Sequence, residues 1–224
     1  MPAKRHTRLK VLFIGNSFTA RNDLPGLIAR LAAARGIDVE HKLISLGGAS
    51  LRTHWNKGDA QEAIRRGPYD YVVLQEQSTL PVKNAERMKE NVRLFDEVIR
   101  AAGSKTALYM TWARRHAPKA QRAITDAYSS VARETGATLA PVGVAWQNFL
   151  RKHDRPILHD KDGSHPSLAG SYLAACVFFQ SLFGQSLRGV AERVPGLDPK
   201  DAELLQRAAD ASVSRLNKGG EPTL

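Results

Sequence analysis

Leu9-Lys10-Val11-Leu12-Phe13-Ile14-Gly15-Asn16-Ser17-Phe18-Thr19 is an apolar run that stops at a glycine, an amide and a hydroxyl. A short apolar, β-branched run closed by Gly reads as a buried strand, and Asp23-Leu24-Pro25-Gly26-Leu27-Ile28 just beyond it reads as a helix entrance. Ser17 therefore stands at the carboxyl end of a strand. In open α/β sheets that edge is where ligands bind, so a hydroxyl delivered there on a Gly-hinged turn is placed to meet a substrate. It becomes a nucleophile only when a base lies within hydrogen-bond reach.

Outward from this stretch, strands and helices alternate. Leu27, Ile28 and Leu31 recur at helical spacing up to Gly36, and strand patterns follow near Ile37–Leu46, Tyr69–Leu74, Lys105–Trp112 and Ala137–Val142. Between them, Leu51–Arg66, Ala85–Ala102 and Gln121–Thr135 read as helices, the second with Met88, Val92, Phe95 and Ile99 on one stripe. A helix through Trp146 and Phe149, one from Pro166 to Phe183 and one from Pro199 to Leu216 complete the pattern. Parallel neighbours need crossover connections, so about five strands in this order predict a three-layer α/β/α, flavodoxin-like fold with a parallel sheet.

The 224 residues suffice for one well-buried core, expected over 9–216, between a flexible basic lead-in at 1–8 and a flexible tail at 217–224. The net charge of +11 and pI near 10.0 are spread over helix-like stretches, with short clusters at Lys4-Arg5-His6, Arg65-Arg66 and Arg114-Arg115-His116. No nucleic-acid motif accompanies them, so no nucleic-acid partner is expected. A single cysteine, Cys176, excludes an internal disulfide and lies in an apolar run that reads as core. No stretch approaches the roughly 20 apolar residues a membrane span needs, and Val11–Ile14 is too short for a secretory signal. The expectation is a cytoplasmic protein without membrane insertion.

The base for Ser17 is sought in Asp160-Lys161-Asp162-Gly163-Ser164-His165-Pro166-Ser167. One turn can bring Asp162 against an imidazole nitrogen of His165 and turn the other nitrogen toward Ser17, with Pro166 opening a helix and holding His165 at a rigid junction. Donors for a developing oxyanion are the Ser17 and Gly48 backbone amides and a side-chain amide from Gln75 or Gln77. Asn16 and Trp112, at the end of the fourth strand, are candidates for the substrate pocket, although a half-buried packing role is the more frequent one for such a tryptophan. Glu76 can accept a hydrogen bond in the site or face solvent. His153, His159 and Asp160 lie near the proposed dyad without metal-ligand spacing, so no metal or cofactor is expected. The first strand lacks both Gly-x-Gly-x-x-Gly and a lysine-bearing phosphate loop, which disfavours nucleotide binding.

Gly15-Asn16-Ser17-Phe18, Gly47-Gly48, Val73-Leu74-Gln75-Glu76-Gln77-Ser78 and Asp162-Gly163-Ser164-His165-Pro166-Ser167, in that order, together resemble the SGNH hydrolases, also called the GDSL family. The resemblance implies Ser17 as nucleophile, His165 as general base and acid oriented by Asp162, and an oxyanion hole of Ser17, Gly48 and a side-chain donor. Two positions depart from the pattern. Asn16 stands where the family has an acid, and Gln-Glu-Gln-Ser replaces Gly-x-Asn-Asp. The second change is similar to branches in which glutamine replaces that asparagine, several of which deacetylate carbohydrates, and it carries the asparagine's role to Gln77 or Gln75. The activity that this resemblance implies is that of a serine esterase acting on a short-chain, acetyl-type ester, on a small molecule or carbohydrate. The alternatives are a lipolytic esterase or thioesterase of the same fold, and a ligand-binding module without turnover.

Overall fold

The computed structural model of the chain describes residues 7–217. The sequence boundaries at 1–8 and 217–224 fall largely outside them, except that the first strand already starts at Thr7 and the last helix reaches Asn217. Five strands, β1 (Thr7–Gly15), β2 (Ile37–Ser45), β3 (Tyr71–Leu74), β4 (Lys105–Tyr109) and β5 (Thr138–Ala140), form one sheet in the order β2-β1-β3-β4-β5. Every pairing is parallel. This is the flavodoxin-like order, whose connection reverses direction between β1 and β3.

The connecting helices are α1 (Ser17–Ala20), α2 (Leu24–Ala33), α3 (Leu51–Lys57), α4 (Asp59–Arg66), α5 (Leu80–Lys83), α6 (Ala85–Ala101), α7 (Gln121–Thr135), α8 (Val142–Leu150), α9 (Leu168–Phe183) and α10 (Pro199–Asn217). Alternate side chains of each strand enter opposite cores, as the two-residue period of a pleated strand requires. Val11, Phe13, Val73, Ala107 and Tyr109 join the side chains of α2, α8, α9 and α10. Leu12, Ile14, Val72, Leu74 and Leu108 join α3, α4, α6 and α7. Both faces of the central strands are therefore dry, which is why β1 and β3 read as unbroken apolar runs rather than alternating ones.

β3 and β5 are shorter than the sequence reading, at Tyr71–Leu74 and Thr138–Ala140, and other boundaries differ too. The predicted helix over 51–66 is broken at Gly58, whose φ of 84° is left-handed and which caps both halves. The helix expected from Pro166 starts at Leu168, because the Ser167 side chain caps it by accepting from the Gly170 N–H while Pro166 pairs with His159 in an isolated bridge. β4 ends at Tyr109, and Met110–Trp112 continue as irregular chain. Among the described residues no helix is long and apolar enough to cross a membrane.

Candidate active site

β1 ends at the switch point, and the residues after it are fastened on all sides. Asn16 caps α1: its Oδ1 accepts from the Phe18 N–H at 3.1 Å, its Nδ2 donates to the Ala49 carbonyl at 2.9 Å, and its own N–H donates to Gln75 Oε1 at 2.9 Å. His54 of α3 donates from Nε2 to the Gly15 carbonyl at 2.8 Å. Burial holds the His54 pKa below the ordinary imidazole value, which keeps the ring neutral. A side chain at position 15 would press on Thr19 Oγ1 and Gln75 Oε1, both under 3 Å from where its Cβ would lie, so the turn needs Gly15.

On this base Ser17 stands partly exposed, with Oγ 2.8 Å from His165 Nε2. The other ring nitrogen, Nδ1, lies 2.5 Å from Asp162 Oδ2. A carboxylate can only accept, so Nδ1 carries the proton and Nε2 is left to accept from the Ser17 hydroxyl. Asp162 Oδ1 also accepts from the backbone N–H groups of Ser164 and His165, each at 2.9 Å. The hydrogen bond from His165, followed by those two backbone bonds, holds the Asp162 carboxyl well below the usual carboxylate range.

The loop carrying this pair is itself pinned. The Asp160 N–H donates to the His165 carbonyl, the Ser167 N–H to Leu158, and the Arg115 N–H to Gly163, all at 2.8 Å. Trp112 Nε1 donates to the Ser164 carbonyl at 3.0 Å. From the Ser17 side, Arg21 pairs with Asp160, and Asn22 Nδ2 reaches the Pro166 carbonyl and Ser171 Oγ at 3.3 and 2.9 Å. Asn22 and Asp23 both adopt left-handed backbone, with φ of 55° and 49°, a conformation short Asx side chains tolerate best.

Among the described residues no acceptor meets the backbone N–H of Ser17 or of Gly48, and Gly48, with φ of 67°, lies exposed at the β2 edge of Ser17's turn. The two glutamines separate clearly. Gln75 is wholly buried: its Oε1 accepts from Asn16 and from Thr19 Oγ1, and its Nε2 donates to the Glu76 carbonyl. Its amide is engaged inside the fold, which corrects its candidacy as an oxyanion donor. Gln77 turns its Oε1 to the Thr79 N–H, Thr79 Oγ1 and the Leu80 N–H, and so leaves its Nε2 donors unbound.

Glu76 answers the question its sequence position left open, since it is wholly buried. Oε1 accepts from the Leu51 N–H at 3.0 Å and the Gln77 N–H at 2.7 Å, and Oε2 from Asn91 Nδ2 at 2.8 Å. One carboxylate thus ties the loop bearing Gly48 to the loop bearing Gln77. Burial raises its pKa, against the hydrogen bonds from Asn91, Gln77 and Leu51 and the nearby Arg52 charge.

Asn16 and Trp112 prove to be framework rather than pocket lining, being 2% and 1% exposed. The Trp112 ring lies stacked between Phe18, at 5.0 Å, and Trp146, at 3.8 Å, and Phe18 in turn sits 5.3 Å from the His165 ring. His159 uses Nε2 to donate to the Ala113 carbonyl, and Asp160 pairs with Arg21, so both have structural partners. No group of three or more metal-ligating side chains occurs among the described residues. The contributions of Asn22, Arg21, His54 and Asn91 had no sequence signal beyond residue type, because each acts across long chain separations.

A buried parallel-sheet switch point bearing a hydrogen-bonded Ser, His and Asp defines the class as an α/β/α domain with a serine-hydrolase constellation. No family model and no curated protein sequence matches the chain. Among solved structures it is similar to a provisionally assigned SGNH hydrolase from Slackia heliotrinireducens, at 29% identity and a TM-score of 0.67, covering 79% of this chain and 100% of that one. It is also similar to a DUF4886 family protein from Bacteroides uniformis (23% identity, TM-score 0.76, 96% and 98% covered). A third similar structure is a variant of an acetyl-xylooligosaccharide esterase from Geobacillus (17% identity, TM-score 0.58, 82% and 98% covered). The last two share the fold. The likeness to the Slackia protein supports the SGNH hydrolase superfamily, in line with the four motif blocks.

Proposed function

We propose that the chain is a serine esterase that cleaves short-chain esters through an acyl-enzyme. The observation that carries this reading is the unbroken chain of contacts from Ser17 Oγ through His165 to Asp162, at 2.8 and 2.5 Å. Ser17 Oγ attacks the ester carbonyl while Nε2 takes its proton, the imidazolium being stabilised by Asp162. The tetrahedral oxyanion is met by the Ser17 and Gly48 N–H groups and by Gln77 Nε2. The imidazolium then protonates the leaving alcohol, and a water activated by the same ring hydrolyses the acyl-enzyme. Removal of one oxyanion donor typically costs about 10²–10³ in rate.

A small acyl group is favoured because the sequence shows no long apolar segment that could shelter a fatty chain. An O-acetyl group on a carbohydrate is the leading substrate class, supported by the glutamine in the third motif block and by the likeness to the acetyl-xylooligosaccharide esterase. A second reading, a longer acyl ester, has one observation in its favour. Leu46, just before Gly47-Gly48, and Val82, shortly after Gln77, are large apolar side chains left 40% and 45% exposed.

Release of p-nitrophenol from acetate, butyrate and octanoate esters tests both. The expected result is turnover highest on acetate and reduced by about 10⁴–10⁶ in Ser17→Ala and His165→Ala. Rates rising with chain length select the longer acyl ester. Equal rates in all three proteins overturn the serine mechanism.

A further inference from the structure

A cavity of about 560 Å³ has Trp146 in its wall and neither Ser17 nor His165. Its wall is built from the chain after β4, the end of α8 and the segment leading to His159. Arg114, Arg115, Lys119 and Arg151 contribute cations to it, against the single carboxylate of Asp154. Among the described residues Arg114, Arg115 and Lys119 form no ion pair with any carboxylate, so their charge is not neutralised within the fold.

A further feature points to a ligand. The wall also carries Leu150 and Ile157, large apolar side chains left 42% and 45% exposed. A cavity of this size with convergent charged donors and an apolar wall has the makings of a small-molecule site.

We infer that this cavity is a second ligand site, distinct from the catalytic crevice, which takes a small amphipathic anion. A carboxylate or phosphate head meets the guanidinium of Arg114, a group suited to both by its planar donor fork. The apolar body of the ligand lies along Leu150 and Ile157. The inference stands apart from the esterase reading, since it uses none of Ser17, His165 or Asp162.

Calorimetric titration of the Ser17→Ala protein with octanoate, octyl phosphate and octyl glucoside tests it. The inference requires saturable binding of at least one of the two anions, and the stronger of them identifies the head group. It also requires that the uncharged glucoside bind at least about tenfold more weakly. Arg114→Gln and Leu150→Asp, each with an unchanged circular dichroism spectrum, are expected to weaken the anion at least about tenfold. Equal affinity for all three probes, or no saturation with either anion, overturns the site. So does anion binding that neither folded variant weakens, which would put the ligand elsewhere on the molecule.

Discussion

Asn16 shows why a departure from a family motif can be a structural necessity. Its side chain accepts at one end, from Phe18, and donates at the other, to Ala49, in a place that is 2% exposed. A carboxylate there can do only the first. Asn16→Asp is therefore expected to lose about 1–3 kcal/mol of stability by urea denaturation, because the Ala49 carbonyl is left facing an acceptor. Burial raises the new carboxyl's pKa in the folded state, so the loss is smallest at low pH and grows as pH rises through that folded value. Asp162 is the opposite case, a carboxylate held ionised by three hydrogen bonds. Asp162→Asn replaces an acceptor with an amide and unsettles the tautomer that leaves Nε2 free. Its kcat is expected to fall by about 10²–10⁴ with KM little changed, measured on p-nitrophenyl acetate.

At the level of elements, the site is a meeting of four loops at the carboxyl edge of the sheet, and each loop is fixed by a side chain from another. Glu76 joins the β2 and β3 loops, Asn16 joins those after β1 and β2, and Asn22 joins the turn after α1 to the loop carrying His165. Asn22→Ala removes the bonds to Pro166 and Ser171 and keeps a left-handed backbone that alanine disfavours by roughly 1 kcal/mol. The expected outcome is a lower melting temperature together with a fall in kcat, as the spacing between Ser17 and His165 loosens. An unchanged kcat in a destabilised variant would show that the His165 loop holds its place without this tie. The break at Gly58 and the start of α9 at Leu168 belong to this scale too, since capping side chains and a left-handed glycine set element ends more finely than hydrophobic period does.

Across the whole molecule, two buried imidazoles couple folding to pH. His54 and His159 have pKa values depressed first of all by burial, so the unfolded chain takes up protons that the folded one refuses. Stability from these groups is fully present above the ordinary imidazole value near ~6.5 and is lost as pH falls below it toward the folded values. Each contributes a slope of at most about 1.4 kcal/mol per pH unit in that window. His54→Gln, whose amide N–H can still reach the Gly15 carbonyl, is expected to flatten the slope seen by urea denaturation between pH 8 and 5. Parallel slopes in variant and wild type would assign the proton uptake to other groups.

The class of fold, the order of strands and helices along the chain and the separate Ser17 and Asp162–His165 motifs were legible because each rests on local signals, whereas the meeting of the two motifs across 148 residues is made by the fold. Those signals are apolar period, glycine and proline punctuation, and residue types at short spacing. What the sequence could not decide was the direction in which side chains of similar type are used. Gln75 and Gln77 stand two residues apart, a spacing that a continuing strand would put on one face, yet one is buried against the turn after β1 and the other opens from the loop, because β3 ends at Leu74 and the chain turns before Gln77. Trp112 read as pocket lining or packing and is stacked in the core, and Glu76 read as a site acceptor or solvent-facing and is wholly buried. Such roles depend on contacts between residues tens of positions apart, which exist only once the sheet has brought its loops to one edge.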